Sequence, residues 1–178
     1  MKRLGMLALA CAAAPGWLAA EVLDSSASGF TVKETIEIQA PRQDVYARIF
    51  RVGDWWEAAH TYSHDPRNLS IEEKAGGCYC EKLPDGGGVK HMEVVHLEPS
   101  KVILLHGAIG PLAYMAATGS MTIQLSASSG GTKVEVTYAV SGYRATGLAS
   151  LASVIDGVLN TQFTRLKNVI EKGDPAAK

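Results

Sequence analysis

A thiol, an imidazole and a carboxylate brought to one place make a nucleophile with its own base, or ligands for a soft metal ion. The stretch from Cys78 to Glu93 holds those residue types: Cys78, Cys80, His91 and Glu93 lie on two strand-like runs flanking the turn Pro84-Asp85-Gly86-Gly87-Gly88. If Leu83 faces Gly88 across that turn, then Lys82 meets Val89, Glu81 meets Lys90, Cys80 meets His91, Tyr79 meets Met92 and Cys78 meets Glu93. Glu81 and Lys90 then form an opposite-charge pair suited to the solvent side. Cys78, Cys80, His91 and Glu93 project together from the other face, because side chains alternate along a strand. An enzyme would use His91 with Cys80 or Glu93 as acid and base, in a cyclisation, dehydration or hydrolysis. The plainer reading is two small buried cysteines beside a surface His and Glu. Register decides between them, since a slip of one residue turns every side chain to the opposite face. Cys78 and Cys80 are themselves poorly placed for a disulfide, because neighbours at i and i+2 on a strand lie near the upper limit of its reach.

A second polar cluster is His60, His64 and Asp65. Two imidazoles four residues apart share a face if the stretch is helical, but Asp65-Pro66 marks a loop and no third ligand follows at a fixed spacing. His60, Tyr62 and His64 therefore read as loop residues able to orient a polar group on a ligand, and no metal site is assigned. No Gly-rich phosphate loop, Ser-nucleophile elbow or paired catalytic carboxylate stands out, and no cofactor is expected. Seventeen Lys and Arg against eighteen Asp and Glu leave a formal net charge of −1, without long runs of either sign. That balance argues against a nucleic-acid partner and against a polybasic membrane patch.

The elements that must position these residues follow from periodicity. Phe30 to Gln39 reads as a half-buried strand with one irregular step, Phe30, Val32, Thr35, Ile36 and Ile38 being set among polar residues. Pro41 opens a helix of about three turns through Val45, Ile49 and Phe50. Trp55 and Trp56 begin a second short piece. About five or six strands follow, starting at Leu69, with turn residues between them. Leu148, Leu151, Ile155, Val158, Leu159, Phe163, Leu166 and Ile170 then mark one face of a long helix that stops at Gly173.

The first twenty residues have the form of an export signal: Met1-Lys2-Arg3, an apolar run from Leu4 to Pro15, and small residues ending at Ala20. The run is too short to span a bilayer comfortably. Cleavage after Ala20 is expected, leaving about 158 residues, enough for one domain with a real core. The expected organisation is a signal over 1–20, a linker over 21–28, the domain over 29–173 and a tail over 174–178. The mature chain would be periplasmic or secreted, without stable membrane insertion; a lipoprotein anchored through Cys11 is the competing form.

The run Ala40-Pro41-Arg42-Gln43-Asp44-Val45-Tyr46 after a strand, then Trp55-Trp56, Gly76-Gly77 before a strand, Leu97-Glu98-Pro99 between strands, and the amphipathic last helix together resemble the START-like (SRPBCC) superfamily. The branch they look most like is labelled polyketide cyclase or Hsp90-ATPase-activator-like. The resemblance implies an α+β helix-grip fold, in which a curved antiparallel sheet wraps the C-terminal helix, with two short helices after the first strand and a cavity between helix and sheet. A small hydrophobic molecule (a lipid, a polyketide-like or an aromatic metabolite) is then the expected partner. Trp55, Trp56, Tyr62, Tyr114 and Tyr143 are candidates to line or gate that cavity, with His60, His64 and Cys78. The small residues from Ala113 to Ala152 would either leave room for the guest or let helix and sheet approach closely. A co-chaperone role follows from the branch label alone, and export argues against it.

Overall fold

Burial alternates without a break along β2 (Gly29–Ile38), so Glu34 faces inward with Phe30, Val32, Ile36 and Ile38, while Thr35 faces outward. The irregular step expected at Thr35 is absent; a carboxylate occupies an apolar position. The computed structural model describes residues 19–177, so the expected signal and Cys11 lie, apart from the strand backbone at Ala19 and Ala20, outside the described residues. Residues 19–25 form β1 (Ala19–Ser25), which pairs with β2 and contains the expected cleavage point. Then come α1 (Arg42–Phe50), three single 3-10 turns at Val52–Asp54, Ala58–His60 and Pro66–Asn68, and the strands β3 (Leu69–Ile71), β4 (Gly77–Lys82), β5 (Gly88–Glu98), β6 (Val102–Gly107), β7 (Ala116–Ser128) and β8 (Gly131–Tyr143). The eight strands make one curved antiparallel sheet in the order β1-β2-β8-β7-β6-β5-β4-β3.

Across the concave face lies α2 (Ala152–Lys172), which ends at Gly173 in the left-handed conformation. Ile155, Leu159, Phe163 and Leu166 recur at helical spacing and are buried against the sheet. Each such side chain contributes roughly 1.5–3 kcal/mol when fully buried. This is the helix-grip fold that the resemblance implies. Part of the small-residue cluster serves close approach rather than space. A Cβ on Gly119 would sit 2.4 Å from the Ala139 carbonyl oxygen and 2.7 Å from the Tyr138 ring; on Gly142 it would sit 2.1 Å from the Ala116 carbonyl oxygen.

The β4–β5 hairpin departs from the expected register halfway along. Cys78 meets Glu93 and Tyr79 meets Met92, as expected, but Cys80 meets Lys90, Glu81 meets Val89 and Lys82 meets Gly88. His91 is the extra residue, a β-bulge on β5. Consequently Tyr79 and Glu81 point inward and are buried, whereas Cys78 and Cys80 face outward, half-buried and joined in a disulfide with Cα atoms 5.4 Å apart. The expected Glu81–Lys90 surface pair does not form; Lys90 instead bonds Glu93 on the outer face. Cys80 and His91 are thus on opposite faces of the sheet, and the four-residue cluster does not assemble.

Glu34 is fully buried, with Oε2 accepting from the Asn160 amide at 3.2 Å. Oε1 of Glu34 and Oδ1 of Asp156 are buried without a hydrogen-bond partner among the described residues. Burial, with the nearby Asp156 carboxylate acting in the same direction, pushes the Glu34 carboxyl up to about 8 from an ordinary 4.5. The folded chain then holds a proton that the unfolded chain has released over that interval. This stabilisation is complete below about pH 4.5 and is lost as pH rises through about 8. The urea midpoint of the wild type is therefore expected to fall between pH 5 and 8.5, and Glu34→Gln to flatten that slope and exceed the wild type at pH 8.

Candidate functional site

A cavity of about 310 Å³ opens where α2 meets the segments 56–62 and 109–114. Its walls are Trp56, Ile109, Pro111, Tyr114, Ile155 and Val158, with Ala59, His60, Thr61, Tyr62 and Gly110 completing the lining. It holds about twice the roughly 150 Å³ that accommodates benzene. The mouth is apolar too, with Tyr114 81% exposed.

One imidazole serves this cavity, and a buried amide orients it. Gln162 of α2 is completely buried; its Oε1 accepts the Glu57 backbone N–H at 2.8 Å, which turns its Nε2 toward His60 Nδ1, also at 2.8 Å. The amide donates, so Nδ1 accepts and the neutral ring carries its proton on Nε2. The Glu57 carboxylate lies 3.2 Å from the same Nδ1. Trp56 fixes the other end of this turn, donating Nε1–H to the His60 carbonyl at 3.0 Å. The cavity is thus an apolar chamber with one imidazole, held by Gln162, in its lining.

Behind the cavity wall stands a buried ion and its donors. Tyr62 lines the cavity, donates its hydroxyl to the Gly110 carbonyl at 2.7 Å, and stacks on His91 with ring centroids 5.8 Å apart. His91 Nε2 lies 3.0 Å from Glu81 Oε2, and the other Glu81 oxygen accepts the Ser63 backbone N–H. Burial alone would raise the Glu81 carboxyl, but hydrogen bonds from Ser63, the Tyr62 backbone N–H and His91 outweigh it and hold the group below the ordinary carboxylate range. Burial lowers His91, an effect that Glu81 partly offsets. The pair at neutral pH is a carboxylate and a neutral imidazole with its proton on Nε2. Nδ1 has no hydrogen-bond partner among the described residues, and His91 borders a separate outward hollow of about 460 Å³ with Lys90, Glu93 and His106.

The sequence-derived candidates are thus divided. Trp56, His60, Tyr62 and Tyr114 meet at the cavity. Trp55 is core, against Phe163 and with Nε1–H bonded to the Arg48 carbonyl. His64 is an exposed loop residue with φ +57°, and Tyr143, 73% exposed, ends β8. Cys78, Cys80 and Glu93 occupy the outer face. Among the described residues no group of three or more His, Cys, Asp or Glu is placed to hold a metal ion. Gln162 and Glu81 were missed. Gln162 had a visible signal: a polar residue three after Leu159, on the apolar stripe of the last helix.

No family model matches the chain, and no curated protein does. Solved structures match by shape. Similar to it are DynU16, a protein in the dynemicin biosynthetic locus (TM-score 0.60, 20% identity, 83% of this chain and 49% of that one), and CalU16 from Micromonospora echinospora (0.56, 14%, 91% and 86%). The Aha1 dimer from Colwellia psychrerythraea is similar as well (0.57, 20%, 80% and 97%). The chain spans about half the length of DynU16. Likeness at these identities is one of fold, and it sets the chain among helix-grip structures.

Removing the Glu81 carboxylate leaves the Ser63 and Tyr62 N–H groups and His91 without their acceptor. Glu81→Ala is expected to cost about 3 kcal/mol or more in urea unfolding. Glu81→Gln, which keeps one acceptor oxygen, should cost less.

Proposed function

We propose that the chain is an exported protein that encloses a small hydrophobic molecule, of lipid, polyketide-like or aromatic class, between α2 and the 109–114 segment. The observation that carries this reading is the cavity of about 310 Å³, whose walls are almost entirely apolar and whose oriented polar group is the His60 imidazole. Ligand pockets run from roughly 300 to 1,000 Å³, so the guest is a compact one. Apolar burial supplies affinity, and the His60 Nε2–H sets orientation against one acceptor on the guest. The N-terminal pattern supports export, and the absence, among the described residues, of a helix long and apolar enough to cross a membrane is compatible with it.

The catalytic alternative built on Cys80, His91 and Glu93 loses its geometry, because the sheet separates Cys80 and Glu93 from His91. An acid–base pair does exist in Glu81 and His91, and its free Nδ1 is the specific observation favouring catalysis as a second reading. Tyr62 stands between that pair and the cavity, however, stacked on the His91 ring.

Titration with N-phenyl-1-naphthylamine should show one saturable site, competed by medium-chain fatty acids or by aromatic acids. Val158→Trp, filling the cavity from α2, should weaken it at least ten-fold while far-UV circular dichroism stays unchanged. Binding that survives Val158→Trp places the site elsewhere. Intact mass of the protein recovered from the periplasm or medium should begin at Glu21.

A further inference from the structure

Cys78 and Cys80 are joined on the outer face of β4, half-buried and open on one side to solvent. The bond ties no two elements together, because both cysteines belong to one strand. A loop of three residues removes little freedom from the unfolded chain, so the bond has little of the stabilisation that longer disulfide loops provide. It also works against the strand. Two residues on, at about 3.3 Å rise each, Cα atoms of a regular strand stand roughly 6.6 Å apart; here they are 5.4 Å apart, at the step where the ladder slips and His91 is left over.

The neighbours on that face differ in charge. Lys90 lies directly opposite Cys80, Glu93 directly opposite Cys78, and the Lys90 ammonium bonds the Glu93 carboxylate. A cation opposite Cys80 favours a thiolate there, whereas a carboxylate opposite Cys78 disfavours one. Exchange is fastest when the departing sulfur is the better-stabilised thiolate. Beside Lys90 and Glu93 runs the outward hollow of about 460 Å³, a surface on which a second molecule can rest.

We propose that Cys78–Cys80 is a thiol–disulfide exchange site that oxidises dithiols. A thiolate of the dithiol attacks Sγ of Cys78; the Cys78–Cys80 bond breaks, its electron pair leaves on Cys80 opposite Lys90, and a mixed disulfide joins the substrate to Cys78. The second thiol of the substrate, deprotonated, attacks its own sulfur in that mixed disulfide and releases Cys78. The substrate ends as a disulfide and the protein as a dithiol, two electrons and two protons having passed to Cys78 and Cys80. A low-molecular-weight disulfide such as oxidised glutathione restores the bond by the reverse steps.

The test uses the full chain carrying Cys11→Ser, purified without reductant, with maleimide trapping and mass spectrometry after mixing with dithiothreitol. The expected result is a bond closed at the start and reduced at least ten times faster than oxidised glutathione at the same pH. Lys90→Gln should slow the reaction three-fold or more. Glu93→Gln, which frees the Lys90 ammonium, should not slow it. A rate at or below that of oxidised glutathione overturns the proposal, as do cysteines that remain free thiols in excess oxidised glutathione. Equal slowing by Lys90→Gln and Glu93→Gln overturns the assignment of Cys80 as the departing sulfur.

Discussion

A carboxylate taken out of water must be surrounded by donors, and Glu81, 1% exposed, is the point from which one end of this molecule is organised. Its donors come from the backbone at Tyr62 and Ser63 and from His91. Each donor fixes something else. The two backbone N–H groups hold the 61–63 loop against β4, which fixes where the Tyr62 ring stands. The imidazole accounts for the extra residue in β5: turned inward by the bulge, His91 meets the ion and offers its flat face to Tyr62. An apolar cavity wall is thus built upon a buried charge.

The broad architecture was legible from periodicity and punctuation. The last helix and its stop at Gly173, the strand before Pro41 and the succession of antiparallel strands all obey local rules that tertiary structure did not override. What escaped was one residue of register. Cross-strand charge pairing offered a satisfying partner for Glu81 in Lys90, and nothing in the local pattern signals a bulge at His91. Its energetic reason, a buried ion needing a donor, appears only once the 61–63 loop has been folded back over β4. The same blindness applied at Glu34, where a polar residue was read as facing water although the alternation of its strand ran through it. On a regular strand Cys78 and Cys80 stand near the limit of disulfide reach; here their Cα atoms are 5.4 Å apart, at the step where the β4–β5 ladder slips, a slip that no local pattern announces.

The cavity was half legible. Aromatic and histidine side chains in the 55–64 segment pointed to it, and four of the aromatic and histidine candidates do gather there. Both tryptophans are buried: Trp55 packs on Phe163 of α2 in the core, whereas Trp56 lines the cavity with Ile155 and Val158 further toward the start of that helix. The small residues of the second half misled in a useful way, since Gly119 and Gly142 mark where backbones touch and no guest fits. The room lies instead between Ile155 and Val158 of α2 and the 109–114 segment.

The hydrogen bond from the Tyr62 hydroxyl to the Gly110 carbonyl spans two loops on either side of the cavity. Sheet and helix are joined by the core, through Ile155, Leu159, Phe163 and Leu166. The same Tyr62 ring stacks on His91, so one side chain ties the cavity lining both to the 109–114 segment and to the buried Glu81–His91 pair. Altering Tyr62 therefore touches the cavity wall, the 109–114 segment and the buried ion at once.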